Sequence, residues 1–390
     1  MLRPMTYAGA RRILDADSHL MERADWLASY ADPHMRERIP PYLAGDDAGR
    51  ERLAEAERAY ERRRADAGER ARAEAELMAM ARKGWHGLGA WDAQERTRAL
   101  DLLGFERQLL FPTLAFNQFT FTEDEEVLVA GTRALNRGMA EYGQADARLL
   151  PVGFAPLRLG PERTAGLIDE AFALGCKTVL VEMVAPEGAR SFSHRDYDPV
   201  WARFAERRTP FALHVGAEGA YKAIPRGFTE NGFPRMPQND DAPRDAHALT
   251  AVGFAPTLLL SALVFDGVFA RFPALRCAVT ELGASWVPSF LRSIDHSLRA
   301  FRRLQPQLQA LPELPSETIR QRVKFTPFAG EDVGWLIEQC GAEAMLFSSD
   351  YPHHEGTDDP IRRFDATLKH TPADAIERFY SKNFEALIGA

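Results

Sequence analysis

The 390-residue chain is short of cysteine, of surplus positive charge and of long apolar runs, and each shortage excludes something. Its three cysteines, Cys176, Cys277 and Cys340, lie far apart. An odd number at such spacing makes neither a disulfide framework nor a zinc knuckle, so a reducing, cytoplasmic compartment is expected. Basic residues number 48 against 56 acidic ones, a net charge of -8. A general nucleic-acid binder needs a basic surface, so nucleic acid is not an expected partner. No run of about 18 apolar residues stands out, and neither a transmembrane helix nor a membrane partner is expected. The N-terminal stretch MLRPMTYAGARRILDADSH has no apolar core ahead of its charges, which argues against a signal peptide.

What is present reads as an ordinary globular protein, 45% hydrophobic and 27% charged, with ample material for a large core. Its length allows two or three domains, or one enlarged α/β barrel. A short apolar, β-branched run ending in polar residues recurs eight times. The runs are Arg12–His19, Phe105–Thr113, Leu149–Leu157, Cys176–Val184, Pro210–Gly216, Arg276–Gly283, Arg322–Ala329 and Ala344–Tyr351. Near-continuous apolar runs mark strands buried on both faces. Amphipathic stretches such as Thr164–Leu174 and Pro199–Arg208 separate them. The alternation predicts a single (β/α)8 TIM barrel over 1–390, with a doubly wound sheet as runner-up. The runner-up lacks a glycine-rich phosphate loop after any run.

Two segments break the rhythm. Over 46–84 a charged helical insertion follows the first strand; Asp46–Lys83 holds ten acidic and ten basic residues. Pairs four apart, Asp66 with Arg70 and Arg70 with Glu74, predict a solvated helix or hairpin, or a contact between subunits. Over 217–245 a segment rich in Gly and Pro follows the fifth strand. A long aperiodic loop on the catalytic face of a barrel reads as a lid or substrate wall.

The chemistry lies at the strand ends. Asp17 and His19 are two apart, so a strand points both to the barrel mouth. His214 ends the fifth run and Asp350 the eighth. Singly these residues have ordinary readings, a helix cap for an aspartate and a hydrogen-bonded core group for a histidine. Together two imidazoles and two carboxylates suit one divalent ion, zinc first and manganese second.

Five motifs, in this order, carry a resemblance: LDADSHLME (Leu14–Glu22), LLFPT (Leu109–Thr113), ALHVG (Ala212–Gly216), GVFARFPALRCAVTELGASWVP (Gly267–Pro288) and FSSDYPHHEG (Phe347–Gly356). From about Ile13 to about Asn383 the chain resembles the amidohydrolase superfamily. More narrowly, it resembles the family of aminocarboxymuconate-semialdehyde and resorcylate-type decarboxylases. The resemblance implies a distorted (β/α)8 barrel, Asp17, His19, His214 and Asp350 as metal ligands, and a homodimer or higher homo-oligomer. It also shows a departure. Family decarboxylases usually carry a histidine at the end of strand six, where this chain has Glu281.

A buried carboxylate can serve as general acid or base, so Glu281 and Asp350 are candidate catalytic groups, with His247 as a substitute imidazole. Arg292, Trp286 and His353 are candidates for substrate binding, Arg292 for a substrate carboxylate. Arg292 has the alternative of an ion pair to Glu281 or Asp295. Glu182 on strand four reads as a supporting acid, and Lys177 sits at the wrong end of that strand. Phe116, Phe119 and Phe121 follow strand two and offer an aromatic wall or core packing. The expected activity is metal-dependent hydrolysis of a small, carboxylate-bearing, aromatic or ring-derived substrate. Non-oxidative decarboxylation is the alternative, and a non-catalytic ligand-binding barrel the remote one.

Overall fold

The computed structural model describes residues 6–43, 45–186, 188–217, 232 and 246–389. Seven of the eight runs form strands: β1 (Leu14–His19), β2 (Arg107–Phe111), β3 (Leu149–Ala155), β4 (Thr178–Val181), β5 (Phe211–His214), β6 (Cys277–Thr280) and β7 (Val323–Phe325). They pair in parallel, in sequence order. Apart from the first residue of β2, every strand position is buried, which is why most of the runs are largely apolar rather than strictly alternating.

The eighth run, Ala344–Tyr351, closes the ring. On one side the Phe325 N–H donates to the Ala344 carbonyl and the Leu346 N–H to that of Phe325. On the other, Ala16 donates to Phe347, Asp350 to Asp17, and His19 to Tyr351, all through the backbone. This segment is not a regular strand because its other bonds are local and polar. Asp15 takes both the backbone N–H and the hydroxyl of Ser349, and Asp350 turns to a φ of 50°. The fold is a (β/α)8 barrel.

Helices cover the outside. Helix Glu125–Gly143 starts at an Asp124 cap that accepts the N–H groups of Glu126 and Val127. Helix Pro161–Leu174 has proline in its first turn and ends at Gly175, whose φ of 110° suits glycine.

The insertion forms helices Asp47–Ala65 and Ala67–Ala75. It is docked rather than freely solvated. Leu53 and Ala56 join Met21, Tyr42, Trp85, Ala90 and Leu114 in a small core, and Arg63 is buried against Glu95. The expected pairs of Arg70 are replaced. Asp66 caps the second helix through Gly68 and Glu69, while Glu74 reaches out to Arg98. A cap satisfies amides that have no partner inside the helix, which an exposed ion pair does not.

One expectation, that no run of about 18 apolar residues occurs, is corrected. Ala246–Phe265 is long and apolar enough, by length and composition, to cross a membrane. His247, Thr250, Thr257 and Ser261 punctuate it, but none carries a fixed charge. It folds as helices Ala246–Ala251 and Phe254–Phe265, and Leu259, Leu260, Leu263 and Val264 pack into the barrel wall. Of the loop expected over 217–245, residues 218–231 and 233–245 lie outside the described residues.

Candidate metal centre at the barrel mouth

The ends of β1, β5 and β6 and the eighth segment converge on one point. His19 Nε2 lies 3.3 Å from Asp17 Oδ1, 3.2 Å from Glu281 Oε2 and 3.5 Å from Asp350 Oδ1. His214 Nε2 lies 3.4 Å from the same Asp17 oxygen and 3.1 Å from the same Glu281 oxygen. Asp17, His19, His214 and Glu281 each offer a ligand atom within 4.8 Å of the others, and so do His19, Glu281, Asp350 and His353. All six side chains are buried.

This donor set fits a divalent ion. Carboxylates and imidazoles aimed at one point are the ligands such ions take. Asp17 Oδ1 and both Glu281 oxygens are buried without a hydrogen bond of good geometry, a costly state unless a cation faces them. The titration tendencies agree. Burial opposes the His214 imidazolium, yet Asp17 and Glu281 outweigh it and hold its pKa well above the ordinary histidine value. Burial likewise opposes ionisation of Asp17 and Glu281, and the two imidazoles outweigh it and hold both carboxyls low. The pocket stabilises positive charge at its centre, which is the charge a cation supplies.

Backbone strain aims two of these groups. Glu281 and Asp350 both have a φ of 50°, a left-handed conformation uncommon for side-chain-bearing residues. The Glu281 N–H donates to Thr326 Oγ1, and the His353 N–H to the Asp350 carbonyl, fixing both turns.

A second ring of residues holds the first. Glu22 is buried and accepts the N–H groups of Thr113, Leu114 and Ala115, pinning the loop after β2. Arg96 donates to the carbonyls of His19 and Tyr351 across the seam between β1 and the eighth segment. Lys83, at the end of the insertion, is buried 5.3 Å from the centre of the Tyr351 ring. Burial pushes its ammonium down to about 8, while Asp350 and Asp15 pull it back. Beside the centre a small cavity of about 30 Å³ is lined by Pro112, Thr113, Phe116, Asn117, Leu180 and Val215–Gly216.

Not every candidate comes to this point. Arg292 is exposed, because its helix, Val287–Phe301, buries Leu291, Ile294 and Leu298 and turns Arg292 outward. It lines an outer groove with Asp295, His296 and Arg320. Trp286 packs against Phe290 and Phe325 and donates to the Leu282 and Gly283 carbonyls. His247 is exposed on helix Ala246–Ala251 and belongs to neither donor group. Glu182 is paired with Arg158 at 2.6 Å. His353, expected against substrate, instead sits within the donor groups, stacked 3.8 Å from His19. Glu22, Arg96, Lys83 and Thr113 were not singled out from sequence. Only Glu22 and Thr113 had a signal, as the last letters of LDADSHLME and LLFPT.

A family model described as amidohydrolase matches residues 14–389. An amidohydrolase from Mycobacterium avium subsp. paratuberculosis is 22% identical, with a TM-score of 0.71 over 97% of this chain and 100% of that one. 5-Carboxyvanillate decarboxylase from Novosphingobium aromaticivorans, with manganese and 3-methoxy-4-hydroxy-5-nitrobenzoic acid bound, is 17% identical. Its TM-score is 0.65 over 98% of each chain. A dihydroxybenzoic acid decarboxylase from a Polaromonas species, with manganese and 2-nitroresorcinol, is 16% identical, with a TM-score of 0.59 over 97% of each. No curated protein sequence matches the chain.

Proposed function

The chain belongs to the amidohydrolase family, and from that premise we propose a metal-dependent enzyme that removes carboxylate from a small aromatic or ring-derived acid. The observation that carries the proposal is the buried donor set at the mouth, with the Asp350–His353 pair at 3.1 Å on its edge. Support comes from decarboxylases of the same fold that hold manganese and a substituted ring. Asp17, His19, His214 and Asp350 would hold the ion, with Glu281 in reach. We take manganese as its identity, since two of those neighbours hold it, with zinc as the alternative.

When bound, the ion would supply positive charge opposite a substrate carboxylate and its neighbouring hydroxyl. The chain's own groups do the rest. Phe116 and Pro112 would present apolar surface to a flat ring entering beside the centre. Asp350, backed by His353, holds a proton and delivers it to the ring carbon as the bond to the carboxylate breaks and CO2 leaves. Glu281 opposes a second carboxylate entering on its side, which fixes the orientation of the acid. A homodimer and a cytoplasmic location remain our expectations, from the family resemblance and the cysteine usage.

Hydrolysis is the second reading, and Glu281 favours it: a carboxylate in place of the strand-six histidine can take a proton from an attacking water. One experiment separates the two. The manganese-loaded protein is given hydroxybenzoates in D2O, and in parallel a panel of lactones, esters and amides. Release of CO2 with one deuterium on the product ring is the expected result. Hydrolysis without CO2 release selects the second reading, and turnover of neither panel refutes both.

A further inference from the structure

Thr113 follows β2, and its hydroxyl sits between two imidazoles. Oγ1 is 3.2 Å from His19 Nδ1 and 3.1 Å from His353 Nε2. On the far side of each ring lies a carboxylate: His353 Nδ1 is 3.1 Å from Asp350 Oδ1, and His19 Nε2 faces Asp17 and Glu281. Asp350, the most open of these groups, is still only 8% exposed. Thr113 is itself held, since its N–H donates to Glu22 Oε1 at 2.9 Å.

A hydroxyl carries one proton. It can donate to one ring nitrogen while accepting from the other, so the two bonds are not independent. A His19 that offers the Nε2 lone pair to a cation keeps its own proton on Nδ1. That N–H donates to Thr113, whose hydroxyl must then donate to His353 Nε2. A neutral His353 so engaged carries its proton on Nδ1 and presents it to Asp350. In the opposite orientation the proton stands on His19 Nε2, and the lone pair that a cation needs is gone.

We propose that Thr113 is a positioning residue that locks His19 and His353 together in their Nδ1–H tautomers. The hydrogen bonds then run one way, from His19 through Thr113 to His353, whose Nδ1 stands 3.1 Å from Asp350 Oδ1. This inference rests on the metal-site reading above and adds to it a residue that acts through two imidazoles rather than as a ligand of the ion. It also gives the loop clamp at Glu22 a purpose: the three amides it binds place the hydroxyl between the rings.

The test is Mn2+ affinity, read from free Mn2+ by electron paramagnetic resonance, in the parent, Thr113→Val and Thr113→Ser proteins. Val keeps the shape without the hydroxyl, and Ser keeps the hydroxyl. We expect Thr113→Val to bind about 10- to 100-fold more weakly, the usual loss when a ligand's orienting partner is removed. Thr113→Ser should stay close to the parent. Equal affinity of Thr113→Val and parent overturns the inference, and so does an equal loss in both variants. Should Thr113→Val fail to fold, nitrogen-15 spectra of histidine in the Zn2+-loaded parent decide. A protonated Nδ1 and bare Nε2 on His353 support the inference, and the reverse tautomer overturns it. A parent that binds neither ion refutes the site reading and this inference with it, and its own titration distinguishes that failure.

Discussion

Two carboxylate residues at the barrel mouth, Glu281 and Asp350, carry backbone strain. A left-handed φ at Glu281 and Asp350 costs about 1–3 kcal/mol each. It persists because the ladder to Asp17 and the Thr326 hydroxyl hold the chain there. Asparagine tolerates this conformation as well as aspartate does. With both proteins metal-free, Asp350→Asn should therefore leave the melting temperature within a few degrees of the parent, while turnover of the metal-loaded variant falls by about 100-fold or more. Retained turnover would remove Asp350 from the chemistry. At this scale the sequence was a partial guide. Asp17 and His19 were legible because strand periodicity alone puts them on one side. His353 was placed against substrate and Thr113 was not noticed, because a ring stack and a shared hydroxyl depend on residues 240 positions apart.

Among the elements, β7 and the insertion make separate predictions. Lys324 of β7 is buried, its ammonium donating to the Arg320 and Gln321 carbonyls at the end of helix Pro315–Arg322. Burial lowers its pKa from 10.5 to about 8. Below pH 8 both folded and unfolded chains carry the proton, and the folded state bears the full cost of a buried charge. That cost disappears as pH rises towards 10.5, so this residue favours folding more at high pH. The stability of the parent relative to Lys324→Met should rise between pH 8 and 10.5, by an amount of the order of 3 kcal/mol. A flat difference in denaturant titrations across that range would refute it.

For the insertion, Leu53 is 3% exposed in its small core. Leu53→Ala should cost about 2–5 kcal/mol in chemical denaturation, whereas an undocked ornament would show no change. The helices here were legible from composition. Their docking was not, because charge patterning describes the solvated face and is silent about the few apolar residues that seat it.

For the whole molecule, the decisive property is the buried charge at its centre. Removing the proposed cation would leave Glu281 within a few ångströms of Asp17 on one side and of Asp350 on the other. An ion present at 100 times its dissociation constant stabilises the fold by about 2.7 kcal/mol. A chelator should therefore lower the melting temperature by several degrees, and added Mn2+ should restore it. No change on chelation of protein shown to contain the metal would contradict the assignment. The same centre refines the meaning of the -8 net charge: part of the acidic excess is concentrated where the proposed cation would offset it.

The eight runs and their parallel order were decided by the sequence alone, as was the gathering of Asp17, His19 and His214 at strand ends. Burial on both faces and a two-residue period leave a strand few other solutions. Three things needed the tertiary structure: the entry of Glu281 and His353 into the donor groups, the outward turn of Arg292, and the docking of the insertion on a small core. Each depends on the angle at which distant segments meet. Asp15 and Ser349, for example, are 334 residues apart and joined by hydrogen bonds. Local periodicity sets which way a side chain leaves its own strand, and only barrel closure sets what it meets.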